Sequence, residues 1–571
     1  MRLDCIMHRS AFTDCYARND KEIVLNVRTG KDITAVNVIH EDPYIAGCSG
    51  HSPWIGSPVA MRMTRELEYA YIWSVRLEPA FKREQYCFEI RKGEETLYLL
   101  EDGLYTQERL HAPGRMQQYF KFPWLNHADV ARYPSWAQDT VWYQIMPDRF
   151  CRGNLSGITS KLPYLRDLGI TGIYLTPVFE SDSDHKYNTF DYKKIDPEFG
   201  DEGDMKDLIQ KAHELGIRVM LDAVFNHCGV KFFAWQDVLI HGEQSVYYDW
   251  FFVNQPLAEH DCSNTRDGRY FSFAFEAYMP KLNTNNPRVM DYFLDICRYW
   301  VQEWGIDGIR FDVGNEISHT FIKKLRIGLK QMNPELFLLG EIWHDSIQWL
   351  LGDEYDSVMN YPFVESLNDF WVDDGCDGHE RMDAKGLMYR INRCYAMYPE
   401  QVNQVLFNFL DTHDISRAYD RCGSLDVLMQ QLVILMTMPG SPCLYYGTEL
   451  AMPNDSRLYN RDKMPWEEIE SGKYDRIMEE VRALIALRKS YPHMKSADIV
   501  WKHDPKYSRL IRYTKKAEGS MQTIEVYLNA HPLWETQDGI AVNHRGKILY
   551  CRNYADGRLL SDGILILRKD D

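Results

Sequence analysis

Between about residue 140 and residue 450 the chain repeats one unit: an amphipathic helical stripe, a break, and a short apolar run that ends on a polar residue. Met205, Leu208, Ile209, Ala212 and Leu215 recur at helical spacing, Gly216 interrupts, and Ile217-Arg-Val-Met-Leu-Asp222 reads as a strand. Met290, Phe293, Leu294, Cys297, Trp300, Val301 and Trp304 form a second stripe, Gly305 breaks it, and Ile306 to Asp312 is again strand-like. Phe321, Leu325 and Leu329 lead through Pro334 to a third run, Leu336 to Glu341. Each intervening helix carries the chain back to its starting side, so successive strands pair in parallel. Eight such runs begin near Val141, Ile173, Ile217, Ile306, Leu336, Ser357, Val405 and Pro442. They predict an α/β fold built on a (β/α)8 TIM barrel.

A chain of 571 residues exceeds one hydrophobic core, and its two ends follow another rhythm. Ile23, Leu25 and Val27 recur at every second position, as do Tyr71, Trp73, Val75 and Leu77, and Tyr86, Phe88 and Ile90, giving one aromatic or aliphatic face and one mixed face. Turn pairs such as Lys92-Gly93 and Asp102-Gly103 separate these runs, which predicts an N-terminal β-sandwich over 1–122 and a linker over 123–138. The barrel then spans 139–490, and alternation resumes in Thr523-Ile-Glu-Val-Tyr-Leu528 and Gly563-Ile-Leu-Ile-Leu567, predicting a C-terminal β-sandwich over 491–571. The stretch from Asn226 to about Asn285 is too long for a βα loop and predicts an inserted subdomain after the third strand.

Charge and cysteine usage narrow the partners. A net charge of −18 opposes nucleic-acid binding, which selects basic clefts. The Met1 to His8 start carries Asp4 and His8 and has no apolar core of a leader, and no apolar run reaches a bilayer's thickness, so neither secretion nor a membrane is expected. The 13 cysteines are odd in number, scattered and without a CxxC pair, which fits reduced thiols in a cytoplasm.

Strand C-termini in a barrel converge on one mouth, and here they deliver a common chemistry. The third run ends Asp222-Ala-Val-Phe-Asn226-His227, the fourth Arg310-Phe-Asp312, the fifth Glu341, and the seventh His413-Asp414. Singly, such an Asp serves more often as a helix cap or ion-pair partner, and such a His as a satisfied structural residue. Together, at the ends of consecutive strands, they place several carboxyl groups in one pocket. Two carboxyls facing one glycosidic bond suffice to hydrolyse it with retained configuration. Arg310, two residues before Asp312, shares its strand face, so its cation is expected to keep Asp312 ionised.

Over roughly residues 139–470 these ordered motifs resemble the α-amylase superfamily of glycoside hydrolases. Met279-Pro-Lys-Leu-Asn283, Val313-Gly-Asn-Glu316, Gly340-Glu-Ile-Trp343 and an N-terminal β-domain with Asp42-Pro43-Tyr44 are most similar to its neopullulanase, cyclomaltodextrinase and maltogenic amylase group. The resemblance implies Asp312 as nucleophile, Glu341 as acid and then base, and Asp414 as transition-state stabiliser. It implies Tyr187, in His185-Lys-Tyr187-Asn-Thr-Phe-Asp191, as a stacking platform, and His227 and His413 as hydrogen-bond donors to the same sugar. Trp343 would shape the acceptor side, and Glu316 would influence whether water or a sugar accepts the glycosyl group.

Two departures qualify the likeness. Many relatives bind calcium in an Asn/Asp-rich loop after the first strand, whereas Phe150-Cys-Arg-Gly-Asn154-Leu-Ser-Gly157 is short and nearly without acids. No metal or other cofactor is therefore expected. Relatives also grip distal glucose units with an Asp-Pro-x-x-Arg stretch; Arg457-Leu-Tyr-Asn-Arg461 keeps only the arginine, Arg461. The expected activity is hydrolysis of α-1,4 links in cyclodextrins, maltooligosaccharides, pullulan or starch, with some transglycosylation, by a homodimer. A dedicated α-glucan transferase and a non-catalytic amylase-like protein are the alternatives.

Overall fold

The computed structural model of the chain describes residues 1–571 apart from 46–53, 55, 111–117, 258–263, 373–380, 455–458, 534 and 571. The described residues form two compact units. The first comprises Met1–Arg132 together with two pieces from far along the chain, Leu350–Gly352 and Met382–Asn403. The second comprises everything else.

In the first unit a four-stranded and a six-stranded antiparallel sheet share one core. The alternation read from the sequence explains this: Ile23, Leu25 and Val27 from one sheet and Tyr86, Phe88 and Ile90 from the other are all fully buried. The helix Ala384–Ala396 belongs here because its polar groups are spent here. Asn392 Nδ2 donates to the Glu66 carbonyl at 2.9 Å, and the following turn sends Gln401 Nε2 to the Ala17 carbonyl at 2.7 Å. Sequence distance concealed this membership.

The second unit holds the barrel. Its strands are β1 (Trp142–Ile145), β2 (Gly172–Leu175), β3 (Arg218–Ala223), β4 (Gly308–Phe311), β5 (Phe337–Gly340), β6 (Ser357–Val358), β7 (Phe407–Phe409) and β8 (Ser441–Tyr445). Every neighbouring pair among β1 to β6, and β7–β8 and β8–β1, is parallel. A parallel bridge between Met359 and Phe407 joins the β6 and β7 ends and closes the ring. Alternation puts Trp142, Tyr174, Met220, Phe337, Leu339, Phe407, Phe409 and Cys443 into a shared buried cluster. In the same register Asp222 sits opposite Arg310, so β3 and β4 present an acid and a base side by side.

Local chemistry sets the helix ends. Asn154 caps the helix Leu155–Leu168 by accepting from the Gly157 N–H, and Asp201 and Asp204 form a reciprocal capping box on Glu202–Glu214. The helix Pro287–Tyr299 runs on through a π turn, Trp300–Trp304, and stops at Gly305 with φ of 78°. That left-handed conformation is why a glycine stands there.

Between β3 and β4 lies the inserted subdomain, with the helix Phe233–His241 and bridges tying His227 to Lys281 and Phe251 to Leu282. After the helix Asp475–Ser490 the chain enters a C-terminal sheet domain of six strands, in which the long Arg558–Asp570 pairs with three others. Among the described residues, no helix is long and apolar enough to cross a membrane.

Candidate active site

One guanidinium organises the barrel mouth. Arg310 is completely buried on β4. Its Nη1 donates to both oxygens of Asp222 (2.9 and 3.0 Å) and to Asp312 Oδ1 (2.8 Å). Its Nη2 lies 3.0 Å from Glu341 Oε2. Three carboxyl groups from the ends of three consecutive strands thus meet one cation. Asp312 and Glu341 keep only 6% and 7% of their surface exposed. Burial pushes Asp312 well above the ordinary carboxylate range; Arg310 opposes this, and Glu341 and Asp222 reinforce it. Asp222 is pushed up by the same desolvation against the same arginine. The expectation that the neighbouring cation keeps Asp312 ionised is therefore incomplete: desolvation and two further carboxyls act against it.

Backbone strain completes the arrangement. Val313 follows Asp312 with φ of 47°, a left-handed conformation that a β-branched residue rarely adopts. It aims the Val313 N–H at Glu341 Oε2, 2.8 Å away. Such strain persists only where surrounding structure imposes it. Gly340, just before Glu341, is the one position where the ring of Tyr355 comes so close that an added Cβ would lie 2.5 Å from it.

A chain of directed hydrogen bonds crosses the pocket floor. Gln144 Nε2 on β1 reaches His413 Nδ1 at 2.7 Å, His413 Nε2 meets the Tyr187 hydroxyl at 2.6 Å, and that hydroxyl donates to Asp222 Oδ2 at 2.9 Å. With the amide donating to Nδ1, the proton of a neutral imidazole sits on Nε2. Burial, helped by Arg310 and Arg461, drives His413 well below the usual histidine range and keeps it neutral. Tyr187 and His413 lie parallel, 1° apart at 5.4 Å between centroids. Tyr174 donates to Asp222 at 2.6 Å, so Asp222 accepts from Tyr174, Tyr187 and Arg310 together. Asp222 is a structural hub.

The remaining sequence-derived residues line the same mouth. His227 is 1% exposed, its Nε2 stands 3.1 Å from the Tyr187 carbonyl, and burial lowers its pKa to about 3. Asp414 lies 3.3 Å from His413 Nε2, and desolvation raises it against Arg310 and Arg461. Arg461 donates to the His413 carbonyl at 3.1 and 3.2 Å and stands 4.0 Å from Asp414, beside the third carboxylate. Arg457 and Leu458, which open the motif around it, lie outside the described residues. Trp343 is 46% exposed and donates to Glu341 Oε1 at 3.1 Å. Glu316 pairs with Lys281 Nζ at 3.0 Å, and Lys281 also donates to Asn226.

Comparison with known proteins identifies the barrel. The profile "Alpha amylase, catalytic domain" matches residues 133–495, and "Alpha amylase, N-terminal ig-like domain" matches residues 1–126. The chain belongs to the α-amylase family. It is 40% identical over 532 residues to a cyclomaltodextrinase of Geobacillus thermopakistaniensis (strain MAS1), covering 88% of this chain and 87% of that one. It is 38% identical over 519 residues to an intracellular maltogenic amylase of Bacillus subtilis, covering 86% and 84%. A solved cyclomaltodextrinase structure superposes with a TM-score of 0.85 at 32% identity, covering 100% of this chain and 98% of that one. This places the α-amylase family member in the cyclomaltodextrinase, maltogenic amylase and neopullulanase group.

Sequence reading of this α-amylase family member missed four groups at the site. Gln144, Tyr174 and Tyr361 sit inside apolar strand runs or helices and carry no motif of their own. Phe273, stacked on His227 at 4.9 Å and 15°, comes from the inserted subdomain, whose path no periodicity reveals. The polar Gln144 in an otherwise apolar run was the one available signal. Asn154, in the loop after β1, has its side-chain oxygen committed to a helix cap at 2.8 Å.

Proposed function

We propose that this enzyme hydrolyses α-1,4-glucosidic bonds of cyclodextrins, maltooligosaccharides, pullulan or starch with retention of configuration, and transfers glycosyl units to sugar acceptors as a side reaction. The observation that carries the reading is the convergence of Asp222, Asp312 and Glu341 on Arg310 at 2.8–3.0 Å at the C-terminal ends of the barrel strands. Asp312 attacks the anomeric carbon while Glu341 gives its proton to the departing oxygen. Water, activated by Glu341 as base, then releases the β-linked ester. Asp414, Tyr187 and the neutral His227 and His413 hold the reacting sugar, and their donors and acceptors are pre-oriented by the floor network. Trp343 and Glu316 border the acceptor side, and Arg461 supports Asp414. No metal enters the chemistry. Product analysis on cyclodextrin, starch and pullulan tests the reading: hydrolysis of none of them overturns it. A time course with no added acceptor separates hydrolysis from a dedicated transferase.

We further propose a cytoplasmic homodimer in which the N-terminal domain narrows the partner's barrel mouth and favours small rings over bulky starch by sterics. The match to an N-terminal domain profile and to a relative named as intracellular supports it. Sedimentation as a monomer at micromolar concentration overturns it.

A further inference from the structure

Trp343 does more at the mouth than border it. Its indole lies face to face on the buried Tyr361 ring, with centroids 3.8 Å apart and planes 14° from parallel. That stacking fixes the plane of the indole, and Nε1 points at Glu341 Oε1 from 3.1 Å. The other oxygen, Oε2, is already occupied by the Val313 N–H at 2.8 Å and faces Arg310 Nη2 at 3.0 Å. Oε2 faces both an N–H and a guanidinium cation while Oε1 faces the Trp343 N–H, so the transferable proton belongs on Oε1. Oε1 is the oxygen that Trp343 addresses.

In the first half-reaction that proton passes to the glycosidic oxygen. The C1–O bond breaks with its electron pair on the departing oxygen, Asp312 forms its bond to C1, and the sugar leaves as a neutral alcohol. The negative charge that Asp312 loses appears on Glu341 Oε1. We infer that Trp343 is a positioning residue for the acid/base, its N–H stabilising the charge that develops on Oε1 as the proton departs. A hydroxyl oxygen is a poorer acceptor than a carboxylate oxygen, so the bond strengthens along the reaction and lowers the barrier rather than merely tightening the resting state. This rests on the proposed retaining hydrolysis at Asp312 and Glu341 and adds a third group to its proton transfer.

Trp343→Phe deletes the N–H and keeps a ring to stack on Tyr361. The variant and the parent are compared on maltotetraose, whose departing sugar needs a proton, and on α-maltosyl fluoride, whose fluoride does not. The expected result is a loss of kcat on maltotetraose about tenfold larger than any loss in turnover of the fluoride. Equal losses on both substrates would mean the indole only packs, and unchanged turnover of both would mean the N–H is idle; either overturns the inference. A parent enzyme that turns over neither substrate would overturn the hydrolase reading itself, and the inference with it.

Discussion

At the floor of the barrel mouth Asp222, Arg310 and His413 keep 2% or less of their surface exposed, whereas Trp343 on the rim keeps 46% and the Glu316 side chain 47%. On the floor each charge is removed from water, so each must be paired, and the partners come from different strands: Gln144 from β1, Asp222 from β3, Arg310 from β4. At the rim the Lys281–Glu316 pair is partly solvated and its attraction is screened. Burial lowers the Lys281 pKa, with Glu316 opposing the shift. The difference separates two tasks. Bond cleavage needs fixed charges that do not reorganise, and recognition of varied glucans needs a border that can be altered at little cost.

The sharpest way to break this comparison is at the floor's two reacting acids. Glu341→Gln cannot transfer the proton and Asp312→Asn cannot form the ester, so each should lower kcat by about 10³-fold or more in a folded protein. Proton NMR of the fresh product should show the α-anomer first. Near-normal turnover of either pure variant, or the β-anomer first, removes the assignment.

Next in size is the stability contrast. Arg310→Met strands Asp222 and Asp312 without their cation and should cost roughly 3–5 kcal/mol in urea denaturation. Glu316→Gln at the half-exposed rim should cost less than about 1 kcal/mol. Similar losses for the two would erase the distinction between floor and rim.

A smaller effect follows from His227. Its pKa is about 3 in the folded protein against 6.5 for an ordinary histidine. Below pH 6.5 the unfolded chain binds a proton that the folded one refuses until about pH 3, so this group's contribution falls as pH is lowered through that window. At pH 5 the loss is about 2 kcal/mol. Asp222 and Asp312, raised by burial, act in the opposite sense, so the test is a difference between parent and variant. His227→Asn should lose less stability than the parent between pH 7 and pH 5, and parallel curves would contradict the buried neutral state. The smallest expected effect is none: a chelator should leave activity and Tm unchanged, while a drop in Tm restored by calcium would reveal a metal site, with the 226–285 subdomain the first place to look.

Much of the fold was legible because burial imposes period. The stripe Met205, Leu208, Ile209 and Ala212 is buried throughout, and all eight predicted strand runs take their places in the ring. The carboxyl-bearing strand ends were legible for the same reason, since a polar residue closing an apolar run stands out. The assignment of Met382–Asn403 to the unit of the N-terminal sheets was not legible. It depends on single hydrogen bonds between residues more than 300 positions apart, such as Asn392 to Glu66.

The sequence by itself determined that eight parallel strands would gather Asp312, Glu341 and Asp414 at one mouth, because strand period and chain direction are local properties. Only the tertiary structure decided what each acid touches. Ring closure brings Gln144 to His413 across 269 positions, Val313 takes a conformation its own side chain disfavours, and stacking on Tyr361 turns the Trp343 N–H toward Glu341. Those contacts follow from packing between distant segments, which no local pattern encodes, and they set the electrostatics in which the acids would work.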